Sequence, residues 1–162
     1  MKYKILFGLI VIFSLTGCTK ISKEVAQKPK DFTPYYYLAV DKNSPDFKKE
    51  VVPAGSLILS CGDFITLENG TTIPYVSEVD NLTQLINQLL ASSPSGMYTN
   101  PLKGNITLNN IKIEGELVSF YFNGKLPEYE DSCATAQAKF ILEKTIEQNI
   151  AGKKYDVYFS EK

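Results

Sequence analysis

The chain has no histidine, no arginine and no tryptophan, and only three cysteines and two methionines among its 162 residues. All 17 basic side chains are therefore lysines, set against 18 acidic ones. Each absence removes a chemistry. Without His there is no Ser-His-Asp or Cys-His nucleophile, no imidazole base and no common zinc site. Without Arg there is no planar fork for phosphates or bases. A formal net charge of −1 gives no electrostatic pull toward a polyanion, so no nucleic-acid partner is expected. The reading is of a non-enzyme, with no catalytic, cofactor-binding or metal-ligating residues assigned. What is present is the composition of a packed protein, 44% hydrophobic and 22% charged.

Lys2 and Lys4 precede Ile5 to Leu15, an eleven-residue stretch that is apolar except for Gly8 and Ser14. As a helix it would span about 16 Å, short of a bilayer core of about 30 Å. A charged start and a short apolar run at the N-terminus read as a secretory signal. Leu15-Thr16-Gly17-Cys18 then resembles the bacterial lipobox, a Leu and two small or polar residues before a Cys. The resemblance implies that residues 1–17 are removed and that Cys18 carries fatty acyl chains. Two or three such chains hold a protein durably, where one does not. The implied location is the cell membrane or outer membrane, on the extracytoplasmic side. In such lipoproteins an Asp after the Cys often signals inner-membrane retention; here that residue is Thr19.

Residues 18–33 follow as the lipidated Cys and a polar, lysine-rich tether without apolar periodicity. Residues 34–162 form one domain. Tyr35 to Val40 is β-rich. Ser56 to Cys61, Phe64 to Leu67 and Thr72 to Val76 are short extended runs, and Asn69-Gly70 is a hairpin signal. Leu82, Leu85, Ile86, Leu89 and Leu90 form one helical stripe, with Asp80 or Asn81 as its expected cap. Ile106 to Asn123 alternates as a hairpin turning at Glu114-Gly115-Glu116. A second helix is expected from Ser132 or Cys133 to Asn149, stopped by Gly152, and Tyr155 to Phe159 is a last strand. The expected class is α+β: a mixed, largely antiparallel sheet with two amphipathic helices packed on one face.

With Cys18 given to lipid, Cys61 and Cys133 remain as an even pair in an exported chain, which invites a disulfide. It would close roughly 72 residues, worth about 4 kcal/mol in the chain-entropy model. Two buried free thiols are the alternative. Glu128, Glu130 and Asp131 form the densest acidic cluster. They suit acid–base hydrolysis or calcium, but more simply a solvated helix start, since calcium-loop spacing is missing. Tyr35, Tyr36 and Tyr37, with Tyr121 and Tyr129, would suit a sugar- or peptide-binding surface, although alternation sends some of them into the core.

The succession of Thr72-Ile73-Pro74, the Leu82–Leu90 helix ending at Ser92-Ser93-Pro94, Ile111-Lys112-Ile113 with Phe120-Tyr121-Phe122, and the last helix resembles the GerMN domain. That family is named for sporulation and spore germination proteins. The likeness covers about residues 35–160. Some lipoprotein members carry one Cys before the Thr-Ile-Pro segment and one opening the last helix, where Cys61 and Cys133 stand. Members usually follow the first helix with Gly-Pro and a Gly-rich loop; here the stretch reads Ser93-Pro94-Ser95-Gly96-Met97. The family has no agreed catalytic residues, so the likeness implies a fold and an envelope location. The expected function is binding of a protein partner or self-assembly on the envelope. Peptidoglycan or small-ligand binding is the alternative. Cys18→Ala is expected to move the protein from the membrane to the soluble fraction. Full retention of this variant on membranes, seen by fractionation, overturns the lipobox reading.

Overall fold

The computed structural model describes residues 30–47, 56–59, 63–128 and 132–160. Their order is β1 (Asp31–Phe32), β2 (Tyr35–Val40), β3 (Leu57–Ile58), β4 (Phe64–Asn69), β5 (Ile73–Pro74), α1 (Glu78–Ala91), β6 (Tyr98–Thr99), β7 (Ile106–Glu114), β8 (Leu117–Gly124), α2 (Ser132–Asn149) and β9 (Lys154–Ser160). The class is α+β. The strands divide into three sheets, ordered β1-β5, β3-β4-β2-β6 and β7-β8-β9, where a single sheet was expected. Every pairing is antiparallel except β8 with β9, which is parallel. Two parallel neighbours need a long crossover, and α2 is that crossover.

Two local expectations change. Asn69-Gly70 does not turn a hairpin, because β5 pairs with β1 and not with β4. Gly70 instead slips under α1. A Cβ there would stand 2.5 Å from Gln88 Oε1 and 2.6 Å from Pro34 Cγ. Gln88 clamps the passing chain, accepting from Thr71 N at 2.8 Å and donating to Thr71 O at 3.1 Å. The β1–β5 pair also draws the end of the expected tether into the fold. Tyr75 N donates to Lys30 O at 3.1 Å, and the hydroxyls of Thr33 and Thr72 meet at 2.8 Å.

Helix α1 begins earlier than its apolar stripe suggests. Ser77 is the N-cap, its hydroxyl accepting from Asp80 N at 3.1 Å and donating to Asp80 Oδ2 at 2.6 Å. This satisfies an end N–H and puts two acids, Glu78 and Asp80, at the positive end of the helix. Lys153, just before β9, pairs with both carboxylate oxygens of Glu78 at 2.6 Å, tying the start of α1 to the start of the last strand.

One core joins the helices and the two larger sheets. Leu82, Leu85, Ile86 and Leu89 of α1 meet Ile106, Ile111, Val118, Phe120 and Phe122 of the hairpin and Ala138, Ile141, Leu142 and Ile146 of α2. Each buried Val, Leu, Ile or Phe among them contributes about 1.5–3 kcal/mol. Small Ala138 and polar Thr145 let α2 lie close to β2, where the two elements are in extensive contact. There α2 also acts as a substitute strand. Thr145 Oγ1 accepts from Tyr37 N at 3.0 Å, and Asn149 exchanges two hydrogen bonds with the Tyr35 backbone, at 3.2 and 2.6 Å. Beyond the two residues of β2 that β6 pairs, this edge is thus closed by one helix turn. Thr145→Val is expected to cost about 1–3 kcal/mol in denaturant unfolding, because it strands the buried Tyr37 N–H, whereas Thr145→Ser keeps the acceptor and costs less.

Candidate functional site

Those residues singled out from sequence that are described do not converge. Cys18 and Cys61 lie outside the described residues, and so does the pairing of Cys61 with Cys133, a position within α2. Glu130, Asp131 and Tyr129 also lie outside them. Glu128 is exposed and faces Lys125 at 3.6 Å, an ion pair of little energetic weight. Alternation splits the tyrosine run: Tyr37 is buried, while Tyr35 is exposed. No three His, Cys, Asp or Glu side chains converge among the described residues. No helix among them is long and apolar enough to cross a membrane.

The feature that stands out is the β7-β8-β9 sheet, and within it the strand that sequence reading left unplaced. On β8 the side chains alternate strictly. Val118, Phe120 and Phe122 are buried, while Ser119 and Tyr121 face outward. The parallel register carries that alternation onto β9: Val118 stands beside Tyr155, Phe120 beside Val157, Tyr121 beside Tyr158 and Phe122 beside Phe159. Two ring ladders result. On the outer face the Lys112 ammonium lies 5.4 Å from the Tyr121 ring, and Tyr121 stacks on Tyr158 with centroids 5.0 Å apart. On the inner face Phe122 stacks on Phe159 at 5.6 Å. Both ladders end at β9 in rings that stay open to solvent, 47% for Tyr158 and 39% for Phe159.

Beside β9 runs a groove of about 460 Å³ between the strand and α2, lined by Leu126, Leu142, Tyr155, Val157 and Phe159, with Lys139 and Glu143 on its rim. Its floor is apolar and its rim is a loose ion pair, with Lys139 and Glu143 3.8 Å apart. At one end Tyr155 donates to Glu147 Oε1 at 3.1 Å, and Glu147 accepts from Lys144 at 2.5 Å. Lys144 holds the Glu147 carboxyl below its ordinary value, against a smaller opposing effect of burial. Burial, then the bond to Glu147, pushes the Tyr155 phenol up to about 12. The Tyr158 phenol is also raised, by its hydrogen bond to Asp156. Glu147 is displaced in the direction opposite to that which a general acid requires.

Further grooves lie elsewhere among the described residues. One, between α2 and β2–β3, is lined by Tyr37, Leu57, Ile58 and Phe140 with Lys144 and Glu147. A polar one contains Asp41, Asn43, Asp63 and Gln137, and another lies at Asn105, Lys125 and Glu128. In none of these four do Tyr and Asn side chains meet. The signal that points to β9 is present in the sequence as the alternation Tyr155-Asp156-Val157-Tyr158-Phe159; its place at the end of a sheet is not.

Compared with known protein families, curated proteins and solved structures, the chain matches none.

The Tyr155 proton links the site to stability. Its phenol ionises near pH 10 when unfolded and near 12 when folded, so its contribution is complete below pH 10 and is lost as pH rises toward 12. Ultraviolet titration is expected to show one phenol ionising last, near pH 12, and Tyr155→Phe is expected to remove that step.

Proposed function

We propose that the chain is a non-catalytic lipoprotein of the bacterial envelope, anchored through Cys18, whose GerMN-like domain binds a protein strand at the β9 edge. The partner is an envelope protein or another copy. The export leader and Leu15-Thr16-Gly17-Cys18 support the anchor. The order of segments from Thr72-Ile73-Pro74 to the last helix supports the family and its sporulation or envelope setting. The binding reading is carried by one observation: β9 ends its sheet with no strand beside it among the described residues, and with an open ring on each face. Free strand edges bind extended chains by backbone hydrogen bonds, with alternate side chains giving selectivity.

The competing reading is a peptidoglycan or small-ligand module. A sugar platform needs open aromatic faces. Here Tyr121 lies between Lys112 and Tyr158, so only the far side of Tyr158 is free. The strand-binding reading therefore takes precedence.

A photo-reactive side chain in place of Tyr158 tests it in intact cells. Protein adducts are expected from this site at several times the yield from exposed Asn87 on α1. Equal yields, or no protein adduct at Tyr158, overturn the reading.

A further inference from the structure

The sheet edges of this protein are not alike. Strands β1, β3, β5 and β6 are two residues long, too short to template another chain. At the far edge of the hairpin sheet, β7 is broken by a bulge between Leu108 and Asn110. Bulges are a common means of spoiling an edge. β9 alone among the described edge strands runs seven residues, with no proline, glycine or bulge.

The direction of its free groups follows from one bond. Lys154 N donates to Glu116 O at 3.0 Å, so the even-numbered residues of β9 turn their backbone groups toward β8. Tyr155, Val157 and Phe159 then direct theirs away from the sheet.

We propose that β9 pairs with β9 of a second copy, antiparallel about a two-fold axis at Val157, joining two hairpin sheets into one of six strands. This rests on the reading of β9 as a binding edge and names its occupant. The argument is self-complementarity. About an axis at Val157, Tyr155 opposes Phe159 of the second copy and Val157 opposes Val157, so every outward backbone group finds a partner, about six hydrogen bonds in all. Aromatic meets aromatic on the inner face, where cross-strand ring pairs stabilise a sheet. On the outer face Lys154 opposes Ser160 and Asp156 opposes Tyr158, so no like charges stand directly opposite. Other registers lose this match. Moving the axis to Asp156 sets that carboxylate against its own copy. Moving it to Tyr158 leaves the outward groups of Tyr155 facing beyond the strand. A slip of one residue between the strands turns core-side rings to the outer face. The strand is about 24 Å long, so the contact is of modest size and its association depends on concentration.

The test is sedimentation of the full chain in detergent over a range of concentrations. A monomer–dimer equilibrium is expected. Val157→Pro removes one outward N–H and none of those bonded to β8, and edge strands tolerate such a proline. It is expected to weaken the dimer at least tenfold while the monomer still unfolds cooperatively. Ser160→Lys, which sets two lysines opposite each other, is expected to weaken it also. Adding Lys154→Glu to that variant is expected to restore it, because the two positions face one another only in this register. A chain that stays monomeric to millimolar concentration overturns the proposal, as does a dimer indifferent to these changes. A monomer that still forms adducts with a different protein through Tyr158 overturns the second copy as occupant while leaving the binding edge in place.

Discussion

The structure depends on the parity of one strand. Phe120 and Phe122 are fully buried on β8, the middle strand of its sheet, and Tyr121 between them is turned outward. A strand has a side-chain period of two, so a one-residue slip would exchange these faces entirely. Burying two phenylalanines fixes the phase at a cost of several kcal/mol against the alternative. Once β8 is fixed, so is everything registered on it. Phe120 pairs with Ile111 on one side and Val157 on the other, and the three form one inner row. Lys112, Tyr121 and Tyr158 fall on the outer face by the same rule. Which β9 backbone groups point away from the sheet is also settled there. The candidate site is thus a consequence of core packing on the neighbouring strand.

That dependence explains what the amino-acid sequence discloses. The α1 stripe, the β7–β8 hairpin and the span of α2 are local patterns and are legible. The alternation read from Ile106 to Ile113 hides a slip of phase: both Ile106-Leu108 and Ile111-Ile113 point inward only because a bulge absorbs one residue between Leu108 and Asn110. Asn69-Gly70 misleads because its flexibility serves another end. The glycine is needed where α1 and Pro34 leave no room for a Cβ, not where two strands turn. The start of α1 is misplaced when only apolar residues are counted, because Ser77 and Asp80 set it through hydrogen bonds. The division into three sheets and the parallel placement of β9 depend on long-range packing, which no short window contains. Tyr155 to Phe159 is recognisable as a strand; that no described strand lies on its far side is a property of strand order.

The groups around the groove are arranged to hold their charge. Glu147 is displaced downward by Lys144, and the phenols of Tyr155 and Tyr158 upward by burial and by the carboxylates they bond. All three move away from neutrality. Each of these three shifts runs away from the range of about pH 6 to 9, and the chain holds no imidazole to titrate within it. Recognition at this edge then rests on backbone hydrogen bonds and ring contacts, which are insensitive to pH over that range. A domain anchored as proposed, facing variable surroundings, would gain a constant surface by this means.

A bare edge strand carries a hazard, since it can template uncontrolled association. The remaining edges are shortened, bulged or, along β2, closed by Thr145 and Asn149 from α2. That the same chain protects β2 with two polar residues of a helix, while no described strand covers β9, argues that the opening is tolerated for a use. The outer face of β9 limits the hazard. Lys154 and Asp156 permit few registers, and two-fold pairing consumes the edge of both copies, so growth stops at two. A foreign strand meets the same filter: to fit, it must place apolar side chains inward against Tyr155, Val157 and Phe159 and avoid a like charge beside Lys154 or Asp156. The same alternation that buries the core of β8 thereby sets the selectivity of the edge beyond it.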